Sequence, residues 1–411
     1  MGEILFLAHR IPFPPDRGDK IRSHHILKRL AEIGPVHVAT FADDAFDAAA
    51  EPDLEAVTAS YKLVRRTKPV ALAGVEAVLK RTPVSLTAFF SKALADYVTD
   101  VLAARPISTI YVFSGQMGQY VPRHFSGRVL VDFVDVDSAK FEAYARKKQG
   151  WRAWVDAREA RLLRVEEATL ATRADASLLI TDAEAQLFSS RLPESVRSAA
   201  NVQSLCNGID SAFFDPDESQ PEPRMCAVHG PRIIFTGQMD YTPNIEAALR
   251  VMDFILPKIC ESLPNATFHV VGRNPAPVLS SRHGRDGCYV WGRVDDMRSW
   301  LKAADIALVP LDIGRGVQNK VLEAMSMALP AVLTPEAATG IGALDGLQFQ
   351  IADSDAQLAQ ATVALLTDAR RAVQMGAEAR NYVVQSMSWE AALAPLADLV
   401  CTSARSVCDA A

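Results

Sequence analysis

"PLDIGRGVQNKVLEAMSMALPAVLT", residues 310–334, is the stretch on which the reading of this chain turns. It follows the apolar run "IALVP" (306–310) and contains a glycine loop, an amphipathic helical pattern, an "LP" break and a second apolar run, "AVLT" (331–334). Strand, loop, helix, strand is the unit of a parallel sheet. The loop is unusual in carrying cations, Arg315 and Lys320, where a helix starts. Unpaired amides already make that end positive, and a cation there costs roughly 0.3–1 kcal/mol. The arrangement makes sense if an anion sits in front of the helix. Gly314 and Gly316 let backbone approach a ligand, and the amides at Gly316–Val317 add donors. Lys320 and Glu323, three apart, share a face: the lysine for a phosphate, the glutamate for a ribose diol. A solvated Lys–Glu pair on an ordinary helix is the competing account.

The same unit recurs outward in both directions. Apolar runs at 3–8, 36–41, 109–113, 129–134 and 177–181, then 232–237, 268–272, 288–292, 306–310 and 331–334, alternate with helix-length segments. Such runs indicate parallel sheets covered on both faces. The chain has 411 residues, enough for two domains of about 200 residues. The expected fold class is α/β, two doubly wound Rossmann-like domains, with ligands bound beyond the carboxyl ends of the strands in a cleft between them. The boundary falls in "LCNGIDSAFFDPDESQPEP" (205–223). Domain one is expected over 1–206 and domain two over 207–385, with a terminal segment, about 386–411, crossing back.

Composition excludes other classes. With 49% hydrophobic and 22% charged residues the chain is globular, and its net charge of −6 argues against a general nucleic-acid binder. Six scattered cysteines without a CxxC pair read as reduced thiols. No apolar run is long enough for a membrane span, so a cytoplasmic protein is expected, with any membrane contact peripheral. No GxGxxG follows a strand, which disfavours a dinucleotide oxidoreductase.

Other post-strand segments supply further candidates. "PFPPDRGDKIRSHH" (12–25) follows the first strand: Arg17, Lys20 and Arg22 make a basic mouth for a phosphate or pyrophosphate-linked acceptor, or a solvated loop, and Gly18 permits backbone approach. "VDFVDVDSAK" (131–140) ends its strand in Asp132, Asp135 and Asp137, which face the ligand side or cap the next helix. Asp135 is the candidate for contacting donor sugar or acceptor. In "GQMDYTPN" (237–244), Gly237, Gln238 and Asn244 follow the first strand of domain two. Arg273 and Arg293 each follow a strand and a glycine, as ligands or as surface cations. The stretch 65–94 mixes basic and apolar residues and fits an acceptor groove, a membrane surface or an amphipathic core helix.

The segment 310–334 resembles the nucleotide-sugar signature of family 4 glycosyltransferases, which have the GT-B fold. Glu323 matches the second glutamate of that signature, which binds the donor ribose. Arg315 stands where the first, which holds donor-sugar hydroxyls, is expected, and this suggests an acidic or otherwise altered donor sugar. Lys320 fits a variant in which a lysine three residues before the retained glutamate contacts the diphosphate. "TGQMDYTPNIEAA" (236–248), "VVGRNP" (270–275), "VWGRVDDMRSWLKAADIALVPL" (290–311) and "CNGIDSAFF" (206–214) are similar to family segments. "IPFPPDRGDKIRSHHILKRL" and "VDFVDVDSAKFEAYA" bring the chain nearest to sugar transferases associated with exosortase (PEP-CTERM) and exopolysaccharide gene clusters.

The resemblance implies transfer of a sugar from a nucleoside diphosphate to a saccharide acceptor, lipid-linked, in exopolysaccharide or cell-surface glycan synthesis, with retention of configuration. It puts the base edge at the backbone of Val294. Lys320, Arg315 and Asp135 are the candidates for catalysis on their own positions, since the family has a glutamate where Arg315 stands and a histidine near Asp135. The resemblance implies no cofactor and no metal, and a place at the inner face of the cytoplasmic membrane. Two other readings share the donor site: a GT-B nucleotide-sugar epimerase, and an inactive nucleotide-sugar-binding protein, which the lost first glutamate would favour.

Overall fold

The computed structural model describes residues 2–313 and 317–401. The chain divides into two units: Met1–Asn207 with the chain from Leu393 onward, and Gly208–Ala392 between them.

The first unit holds seven strands: β1 (Glu3–Ala8), β2 (Val36–Ala42), β3 (Ser60–Arg65), β4 (Ile107–Phe113), β5 (Arg128–Val134), β6 (Ala176–Leu179) and β7 (Val202–Ser204). All pair in parallel, in the order β3-β2-β1-β4-β5-β6-β7. The central strands are buried almost throughout because their side chains are apolar on both faces, as helices on both sides require. Strands β3 and β7, at the edges, are half-exposed. Sequence patterning missed both: an edge strand needs no continuous apolar run.

The second unit has six strands: β8 (Arg232–Thr236), β9 (Thr267–Val271), β10 (Cys288–Gly292), β11 (Ile306–Val309), β12 (Ala331–Leu333) and β13 (Gln350–Ile351). Their order is β10-β9-β8-β11-β12-β13, again all parallel. The order reverses direction between β8 and β11, the switch point at which doubly wound sheets open a crevice. The last turns of this unit run through Trp389–Ala392, so residues 386–392 lie in it. The returning segment is the shorter helix Pro395–Cys401, which packs on the helix Gly18–Ile33 and on β5.

Candidate donor site

In the second unit, β8 ends at Thr236 and turns through Gly237, whose φ of +149° suits glycine. Next to it, β9 ends and turns through Gly272, at φ +156°. A Cβ on Gly272 would lie 1.6 Å from the Gly237 carbonyl oxygen, so the two turns touch only because Gly272 lacks a side chain, while a Cβ on Gly237 would press on Asn244 at 2.9 Å. Beyond them opens a cavity of about 860 Å³, ample for a nucleotide sugar. Its floor is the start of the helix Asn319–Ser326, carried in by β11.

That helix buries Val321, Leu322, Ala324 and Met325 against the sheet. Lys320 and Glu323 thereby point to the cavity side. Lys320 Nζ donates to Asn244 Oδ1 and lies 4.6 Å from the centre of the Phe235 ring. Asn244 is turned toward it by its own bond to the Gln238 carbonyl (2.8 Å). Arg273 donates to Gln238 Oε1 at 2.8 Å, which leaves its charge at the rim. Burial lowers the Lys320 ammonium to about 8, with Glu323 pulling the other way. Burial raises the Glu323 carboxyl to about 7, partly offset by Lys320. Each group is held toward its neutral form in the free protein, and an incoming ligand of matching polarity relieves that.

The cavity collects Gly237, Gln238, Asn244, Arg273, Arg293, Val294, Val317, Lys320 and Glu323, candidates spread over nearly ninety residues of sequence. Arg315 and Gly316 lie outside the described residues.

Residues 230–368 match the protein family described as Glycosyl transferases group 1. The match falls wholly within the second unit and spans the cavity's strands and helix. Across the whole chain, the structure is similar to that of HepE from Anabaena, solved with UDP and glucose (TM-score 0.60, 14% identity, 98% of this chain and 100% of that one). It is also similar to sucrose-phosphate synthase from Thermosynechococcus elongatus (TM-score 0.58, 15% identity, 97% and 98%). A third similar structure is WaaG, a glycosyltransferase involved in lipopolysaccharide biosynthesis (TM-score 0.57, 15% identity, 98% and 100%). The fold is therefore GT-B. No curated protein sequence matches the chain.

The group 1 stretch also contains cavity residues that sequence reasoning passed over. Tyr241 and Met297 line the walls, as does Gly272. Phe213, from the linker before the matched stretch, closes one side. The glycine of "VVGR" was the available signal: a glycine directly after a strand marks a close backbone approach as surely at 272 as at 237.

In the first unit the expected basic mouth is not present. The helix begins at Gly18, so Lys20 and Arg22 sit in its first turns, in step with buried Ser23, Ile26, Leu27 and Leu30. Both side chains are carried inward and almost fully buried. Lys20 donates to Asp47 at 2.8 Å, and Arg22 to Asp132 at 3.0 Å and to Asn207 at 2.7 Å. Arg17 stays exposed, 3.6–3.7 Å from Asp19, Asp43 and Asp47. Arg10, Arg17, Lys20 and Arg66 thus meet Asp16, Asp19, Asp43 and Asp47, and the mouth is neutralised.

Asp132 is likewise buried instead of facing a ligand. It accepts from Arg22, from Tyr111 Oη (2.9 Å) and from the Val134 amide (3.1 Å). The next helix, Asp137–Lys147, is not capped by its own first residues. Glu184 accepts the Val136 amide, and Glu167 accepts both the amide and the hydroxyl of Ser138. Asp135 is half-buried at the carboxyl end of β5, directly after Val134, whose φ of +68° is strained for a β-branched residue. Ser114 ends the adjacent β4 at φ +77°, so strain gathers at these neighbouring strand ends, as it often does beside ligands.

Proposed function

We propose that the protein is a glycosyltransferase that moves a sugar from a nucleoside diphosphate to a saccharide hydroxyl. The observation that carries this is the half-buried pair Lys320–Glu323 at the mouth of a short helix, facing two glycine turns in a cavity at the β8/β11 switch point. As the glycosidic bond stretches, the departing diphosphate gains negative charge. Lys320 and the first amides of its helix are placed to receive that charge, with Arg273 at the rim. Glu323 accepts from the ribose hydroxyls. The backbone at Val294 receives the base edge, and the sugar extends toward Gly237.

UDP is the first nucleotide to try, because similar structures were solved with it. Retention of configuration, a lipid-linked acceptor and a role in exopolysaccharide synthesis follow from the sequence resemblance and complete the proposal. No metal ion is assigned a part.

Thermal shift against a panel of nucleotide sugars tests the donor site. A ligand at a hundred times its Kd adds about 2.7 kcal/mol to stability; no response to any UDP, GDP or ADP compound would overturn the reading. The anomeric configuration of the product, read by NMR, tests retention.

Two predictions belong with the site. Diphosphate binding needs charged Lys320 and ribose binding needs ionised Glu323. Apparent kcat/KM is therefore expected to fall below pH about 7 and above about 8. Glu323→Gln should remove the acid limb and weaken nucleotide binding at every pH; an unchanged acid limb would show that another group titrates. Separately, Arg315→Glu is expected to change the ranking of donor sugars, measured as kcat/KM ratios across the panel. An unaltered ranking would place Arg315 away from the sugar.

A further inference from the structure

The helix Val70–Lys80 turns its small residues inward. Ala73 and Ala77 are buried, whereas Leu72, Val75, Val78 and Leu79 are exposed, Leu79 to 79%. An ordinary amphipathic helix does the reverse. A second exposed group lies on the helical hairpin formed by Asp137–Lys147 and Gly150–Arg173, which reverses at Gly150 (φ +66°). Just past that turn Trp151 is 72% exposed and Trp154 62%.

The two groups lie on one side of the first unit. Trp151, Trp154 and Arg158 share a helix face. Arg158 donates to the carbonyls of Ala77 (2.8 Å) and Thr82 (3.3 Å), at the end of the helix with the outward leucines.

Charge identifies the partner. Residues 65–81 hold five Lys or Arg against one acid, and residues 140–164 hold eight against three, in a chain whose net charge is −6. Several of these cations lie against the exposed rings: Arg152 is 5.4 Å from the Trp151 ring centre and Lys148 5.4 Å from that of Tyr144. Tryptophans beside cations, with aliphatic side chains facing out, match the layered polarity of a lipid headgroup region. No helix among the described residues is long and apolar enough to cross a membrane, so the contact would be superficial.

We propose that the first unit docks on an anionic lipid bilayer through the outer face of Val70–Lys80 and the hairpin tip around Trp151. This goes beyond the transfer reaction, and the test reads lipid binding without any donor. The full chain is mixed with phosphatidylcholine vesicles, with and without phosphatidylglycerol, and vesicle-bound protein is measured by flotation at low and high salt.

Binding at least tenfold stronger with phosphatidylglycerol, lost at high salt, is expected. Each cation near the surface contributes about fivefold, so Lys147→Glu with Arg152→Glu should weaken binding 25-fold or more. Trp151→Ala with Trp154→Ala should weaken it about tenfold. Far-UV circular dichroism and melting temperature check that both variants are folded. No flotation with either vesicle, or flotation unchanged in both variants, would overturn the proposal. A concentration-dependent dimer dissolved by the tryptophan substitutions would also overturn it, by giving the face to a second copy.

Discussion

Lys320→Ala is expected to reduce kcat by 10² to 10³-fold while leaving the protein at least as stable as before. The rate loss follows from the position of the ammonium. It lies at the cavity floor, held by Asn244 and set 4.6 Å from the Phe235 ring, in a site of low effective dielectric. Removing one preorganised donor from such a site typically costs about 2.7–4 kcal/mol of transition-state stabilisation.

The stability side has the opposite sign. A lysine whose pKa is lowered on folding, here to about 8, binds fewer protons folded than unfolded between that pH and its ordinary value. It weakens the fold at neutral pH, and the penalty fades as pH rises through that window. Glu323, raised to about 7, penalises the fold above its ordinary pKa, increasingly as pH rises to about 7. Removing Lys320 also takes away the charge partner of Glu323, so the net gain is small, on the order of 1 kcal/mol at most. Single-turnover kinetics and thermal melting on the same preparation check both halves. Near-normal turnover would refute the phosphate role, and a collapse in melting temperature would make Lys320 a structural residue.

Arg22→Met is expected to cost 3–5 kcal/mol, with no comparable gain in any condition. Arg22 and Asp132 are almost fully buried, 3.0 Å apart, with Tyr111 and the Val134 amide completing the carboxylate. Removing one partner strands the other charge in the core, the costly half of any buried pair. The Asp132 carboxyl is already raised by burial, so in the variant it takes up a proton more readily and part of the loss is recovered at acid pH. Arg22→Met with Asp132→Leu should recover at least half of the loss, since matched apolar replacements of buried pairs are often neutral. Urea unfolding of the first unit measures the cycle. A double variant no better than the worse single would mean that Asn207 and Tyr111, and not the ion pair, hold this region.

These two lysine and arginine positions also show how far sequence carried the structure. Lys320 was legible because its meaning is local: strand, glycine and helix are contiguous, and the cation precedes Glu323 by three residues. Arg22 was not, because its meaning comes from 110 residues away, at Asp132, just as that of Lys20 comes from Asp47. A run of cations after a strand looks the same on paper whether it faces a ligand or a buried carboxylate. The strands divide in the same way. The buried runs such as 3–8 and 306–310 announce themselves. "SYKLVR" (60–65), "VQS" (202–204) and "QI" (350–351) pair only because a neighbour offers an open edge.

The helix Pro395–Cys401, packed back on the first unit, makes the second unit topologically an insert. Its two ends leave and re-enter the insert side by side: the amide of Ile209 donates to Met387, and that of Trp389 donates to Ile209. A clone that simply stops at 207 therefore strips the cover from β5 and should precipitate. Excising the insert and splicing the flanks with a few glycines should instead yield a soluble fragment on which lipid attachment can be assayed without any nucleotide chemistry.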